Sequence, residues 1–136
     1  MPSDKPGIVV PDDRPTYETE LSTYWFEPDG LLISLSKPPK RTLTNTNENF
    51  ELVARITNQT KVPMLVYICN SPVPDKATRQ FVARKLPDVY KAMAMVSGGA
   101  LGKLIMNMIF SINPPSIPMR SFSDEEKARE WLRTFL

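Results

Sequence analysis

A mixed α/β fold, with a mostly parallel sheet of about five strands and four to five helices, is predicted by three features of this sequence. Short apolar runs alternate along the chain with segments of helical period, the pattern of strands joined by crossover helices. The first two runs are separated by Pro28-Asp29-Gly30. There proline presets φ and glycine accepts a positive φ, so the sheet opens with a β-hairpin. Hydrophobic residues make up 41% and charged residues 24% of the 136 residues, ordinary values for a chain that buries one core.

Each element follows from its own residues. Pro2, Pro6, Pro11 and Pro15, with few large apolar groups between them, predict an extended or disordered arm over 1–15 ahead of a single domain at 16–136. Residues 17–26 are rich in Thr, Tyr and other aromatics and predict the first strand. Leu31, Ile33 and Leu35 alternate onto one face of the second. Thr44 and Asn45 both suit an N-cap, and Asn45 stands three residues before Glu48. Phe50, Val53, Ala54 and Thr57 share a helical face, so a helix is expected to end near Asn58.

The uninterrupted apolar run 63–69 predicts a strand buried on both faces. Asp75 is expected to cap a helix bearing Ala77, Phe81, Val82 and Leu86, which Pro87 breaks into a short further turn ending near Lys91. Residues 92–96 are the fourth strand. Ser97 suits the cap of the next helix. Its stripe of Leu101, Leu104, Ile105, Met108, Ile109 and Ile112 keeps helical spacing until Asn113-Pro114-Pro115. Residues 117–122 are the fifth strand. Ser123 and Glu126 have capping-box spacing ahead of a last helix that turns Ala128, Trp131, Leu132 and Phe135 inward.

The composition excludes several chemistries. There is no histidine and one cysteine, Cys69. A lone cysteine forms no internal disulfide and suits a reducing, cytoplasmic setting. At the end of a buried strand it reads as inert packing. Without histidine the commonest general base, the usual partner of a nucleophile and the commonest transition-metal ligand are gone. No catalytic residue, metal site or cofactor is therefore expected. The first residues lack the basic start and apolar run of a secretory signal. The apolar stretch 92–112 is broken by Ser97, Gly98, Gly99, Lys103 and Asn107, so no stable membrane insertion is expected.

Charge is unevenly distributed. Residues 1–29 hold seven acids and two bases, and residues 30–136 hold eight acids and fifteen bases. Lys76, Arg79, Arg84 and Lys85 place positive charge along one helix. They lack the interleaved aromatics of a single-strand binder, so no nucleic acid is expected. The segment 97–103 resembles a phosphate loop only in part. Ser97 replaces its first glycine and Leu104 its magnesium-binding hydroxyl. The acids Asp124, Glu125 and Glu126 complement a helix start. Met106 and Phe110 fall on the outer face of their helix beside Lys103 and Asn107. They mark a candidate partner or homodimer surface unless the arm or the following loop covers them.

The hairpin, the apolar strand 63–69, the capped helix after it, the stretch from Ser97 through Asn113-Pro114-Pro115, and the closing segment 123–132 together resemble the SpoIIAA-like or STAS fold. Within that fold they are most similar to uncharacterised bacterial STAS/SEC14-like proteins. The resemblance covers residues 17–136. It implies a small interaction switch, in which a serine in an Asp-Ser-x-Gly setting is phosphorylated by a partner kinase. Laid on this chain, that motif places its Asp on Asp75, its Ser on Lys76 and its Gly on Thr78. A lysine cannot accept phosphate, and its charge opposes that of phosphoserine. Ser71 and Thr78 are the nearest substitute hydroxyls.

The expected function is a non-catalytic interaction module with an unknown protein partner, its candidate surface formed by Asp75, Lys76, Arg79, Lys103, Met106 and Phe110. Two alternatives stand beside it: a carrier or sensor of an apolar ligand or lipid, which the SEC14-like grouping and the methionines over 93–108 suggest, and a phospho-regulated anti-sigma-factor antagonist.

Overall fold

The computed structural model describes residues 10–68, 72, 74–96 and 117–136. Among them six strands form one sheet in sequential order: β1 (Tyr17–Glu18), β2 (Ser22–Phe26), β3 (Leu32–Ser36), β4 (Val62–Tyr67), β5 (Tyr90–Val96) and β6 (Met119–Phe122). The β1–β2 and β2–β3 pairs are antiparallel, and the β3–β4, β4–β5 and β5–β6 pairs are parallel. The expected mixed, mostly parallel sheet is thus present, with six strands in place of five. The extra strand arises at Thr19, whose hydroxyl accepts the Leu21 and Ser22 amides. That tight turn splits the first predicted strand into β1 and β2.

Three helices lie among the described residues: α1 (Leu43–Ile56), α2 (Lys76–Val89) and α3 (Glu125–Arg133). The helix expected after Ser97 falls outside the described residues. α1 is capped by Thr42 rather than Thr44 or Asn45. The Thr42 hydroxyl accepts the Asn45 amide, and the Asn45 side chain accepts the Thr42 amide. Asn45 therefore serves as the third helical residue of a capping box, one turn inside the end it was expected to mark. α1 closes at Thr57, and Asn58 and Gln59 take positive φ of 60° and 63° to turn the chain into β4.

Pro87 does not break α2. It lies in the last turn, where the missing N–H costs one ladder bond, and the helix ends two residues later at Val89. Consequently β5 starts at Tyr90, before the predicted Ala92. The inward face of α2 carries Phe81, Val82 and Leu86 as expected, joined by the buried Thr78 and Val89, while Ala77 is exposed. α3 is capped by Asp124, whose carboxylate accepts the Glu126 amide, rather than by Ser123.

The hairpin turn is as the sequence predicts. Gly30 has φ +100°, its amide donates to Glu27 O, and the Asp29 carboxylate accepts the Leu31 amide.

Alternation along the strands divides the core in two. One face carries Tyr24, Leu32, Met64, Met93 and Met119 against Phe50 and Val53 of α1 and Leu86 and Val89 of α2. The other carries Trp25, Ile33, Leu65, Tyr67 and Ala94 against Ala128 and Leu132 of α3. The central β4 is apolar throughout because both of its faces are covered. Pro63 sits at a register shift between β4 and β5, an irregularity that accommodates a residue without an N–H.

Candidate functional site

The loops after β3 and β4 leave the sheet at the carboxyl ends of parallel strands, where open α/β sheets commonly place their binding sites. Asp75 starts α2 there, and its carboxylate accepts the Thr78 amide at 2.8 Å. This amide bond, with the Thr78 hydroxyl beside it and the charges of Lys40 and Arg79, outweighs burial and holds the Asp75 carboxyl below its ordinary value. Lys40, from the loop after β3, thus lies within electrostatic range of Asp75. Asp75, Lys76 and Lys40 are exposed. Arg79 is half-buried and donates to Pro74 O at 2.7 Å.

The structure therefore brings Asp75, Lys76 and Arg79 together on one edge. Lys103, Met106, Phe110 and Ser71 lie outside the described residues, as does Cys69. Thr78 is fully buried. Its hydroxyl makes no hydrogen bond of good geometry among the described residues and is not offered to a kinase from this fold. Lys76, at the serine position of the phosphorylation motif, is the exposed side chain there.

A second feature was not expected from the sequence. A cavity of about 160 Å³ lies between the sheet and helices α1 and α2. Ser22, Ser34, Ser36 and Tyr24 line one wall, and Phe50, Met64 and Met93 line another. Burial raises the Tyr24 phenol above its ordinary value, against the pull of hydrogen bonds from Ser22, Asn49, Ser34 and Tyr90. Burial likewise holds the Tyr90 phenol well up. Both stay neutral hydroxyls at physiological pH. The signal in the sequence was Ser34 and Ser36 alternating with Ile33 and Leu35, a pattern that ordinarily marks a solvent face.

Among the described residues no three His, Cys, Asp or Glu side chains are grouped to hold a metal, and no helix is long and apolar enough to cross a membrane.

Residues 24–136 match the model of a family described as a domain of unknown function, DUF7793. The chain belongs to this family. No curated protein matches the DUF7793 chain. Among solved structures it is similar to an uncharacterised protein of the DUF3478 family with a SpoIIAA-like fold from Shewanella loihica PV-4. The two share 15% identity with a TM-score of 0.54 over 88% of this chain and 91% of the other. At that identity the likeness shows the fold: this DUF7793 domain is SpoIIAA-like, as the resemblance at the sequence level implied.

Proposed function

We propose that this domain is a non-catalytic docking module that binds an acidic protein surface through the edge formed by Asp75, Lys76, Arg79 and Lys40. One observation carries this reading. The loop after β3 places the exposed Lys40 within electrostatic range of Asp75, beside the exposed Lys76 of α2, while the only hydroxyl within that first turn, Thr78, is buried. A fixed cation at position 76 suits constitutive recognition of an acidic partner, where a phosphorylated serine would repel one. Lys103, Met106 and Phe110 belong to the same proposal, supplying a charge and two apolar groups to the partner or to a second copy of the chain.

The reading is tested by quantitative co-purification from the source organism with Lys76→Glu/Arg79→Glu. A genuine partner is depleted at least about tenfold from the double variant and retained by Lys127→Glu on α3. Equal recovery by wild type and double variant contradicts the proposal.

A further inference from the structure

The cavity beneath α1 and α2 is polar on a wall where a core is ordinarily aliphatic. Ser22 lies directly opposite Ser36, and Tyr24 opposite Ser34, on the β2–β3 pair. All four line the cavity. Three of these hydroxyls are satisfied within the protein. Ser22 and Ser34 hydrogen-bond the Tyr24 hydroxyl. That hydroxyl also accepts from the Asn49 amide, which in turn accepts from Thr19 at 2.7 Å. Ser36 is the exception. It is 8% exposed and lines the cavity, and its hydroxyl has no hydrogen-bond partner among the described residues. A buried hydroxyl left open on a fixed polar wall is completed by a polar group from outside the chain.

The rest of the lining favours a ring. Phe50 and Tyr90 line the cavity with Met64 and Met93. The two rings lie 6.3 Å apart, and Phe81 stands edge-on to Phe50 at 6.0 Å, separations at which aromatic rings attract. One more ring extends this cluster, and the methionines adapt to its outline. Water alone would complete Ser36 but leave the apolar groups wetted. The described walls carry no acid. Arg41 also lines the cavity, but it already donates to Lys37 O, Pro39 O and Leu21 O and is engaged further. A charged ligand would therefore lose its water without gaining a counter-charge of its own. The volume, about 160 Å³, suits a single ring and falls far short of a lipid tail.

We infer that this cavity binds an uncharged single-ring compound bearing a hydroxyl group. The ligand hydroxyl pairs with Ser36, and the ring lies against Phe50 and Tyr90. This goes beyond docking: it gives the domain a ligand site under α1 and α2, separate from the α2 edge.

Phenol, benzene and benzoate serve as probes, read by NMR titration of the intact chain at neutral pH through backbone amides and methionine methyls. Phenol is expected to give saturable shifts at Ser36, Met64 and Met93 and none at Met119, which packs on the same sheet face outside the cavity. It should bind at least about fivefold more tightly than benzene, the scale of one uncharged hydrogen bond, and at least about tenfold more tightly than benzoate, whose charge finds no partner. Ser36→Ala should erase the preference for phenol over benzene and leave benzene affinity within about twofold. Benzene binding as tightly as phenol overturns the hydroxyl assignment, and benzoate binding as tightly overturns the uncharged class. A preference that survives Ser36→Ala overturns the pairing with Ser36. Absence of any saturable phenol shift overturns the site and leaves water as its occupant. The probe comparisons are made on the wild-type protein, so they hold even where Ser36→Ala fails to fold.

Discussion

At Asp75 one carboxylate both starts α2 and sits within the candidate docking edge. Its pKa is lowered first by the Thr78 amide and then by the Thr78 hydroxyl, with smaller help from Lys40 and Arg79. A carboxyl depressed in the folded state contributes stability above its ordinary value of 3.8, and that contribution is lost as pH falls through the lower folded value. The Thr78 amide resonance should therefore titrate with a midpoint below 3.8. Asp75→Asn should keep the cap and abolish the titration. A midpoint at or above 3.8 would contradict the cap as the dominant influence. The capping role of Asp75 was legible from its place before a helical run. The burial of Thr78 was not. Thr78 and Ala77 are both small, and only the phase of the helix on the sheet decides which turns inward.

At the scale of elements, α3 shows how charge and packing divide the work. Ala128 and Leu132 are fully buried against the sheet, and two arginines tie the helix to the hairpin end. Arg129, 14% exposed in its side chain, donates to Glu27 at 2.8 Å and to the Tyr67 hydroxyl at 3.2 Å. Arg133, 45% exposed, reaches Asp29 at 2.9 Å. Glu27 also accepts from Arg14 at 2.7 Å, so one acid joins the residues before β1 to the last helix. Removing Arg129 takes the donor from the Tyr67 hydroxyl and from one Glu27 oxygen, so Arg129→Ala should cost about 1–3 kcal/mol in urea unfolding. Arg133→Ala should cost less than about 1 kcal/mol, because water screens an exposed pair. Equal losses would contradict this division.

Element types were legible because apolar period differs between strand and helix. Their ends were less so. Thr42, Thr44 and Asn45 all suit a cap, and the choice among them rests on whether Asn45 can reach back to the Thr42 amide. Pro87 reads as a break in any local window, yet it is tolerated here because α2 is already ending.

For the whole molecule, the parallel sheet and the hairpin could be read from the order of runs and from Pro28-Asp29-Gly30. Among the described residues, the placement of α1 and α2 on one face and α3 on the other decides what the strands bury. That is why Ser34 and Ser36, polar in an otherwise aliphatic strand, line a cavity beside α1 instead of facing solvent. The same arrangement brings Lys40 from one crossover within electrostatic range of Asp75 from the next, a proximity that spacing alone does not announce.

The docking account is tested most directly by a photo-crosslinking residue placed in the intact chain, in its own cells, at position 76, and separately at position 127 on α3. The account predicts a discrete adduct of the same partner from position 76, weakened by raised salt and by Arg79→Glu, and none of it from position 127. No adduct from position 76, or the same adduct from both positions, would contradict it.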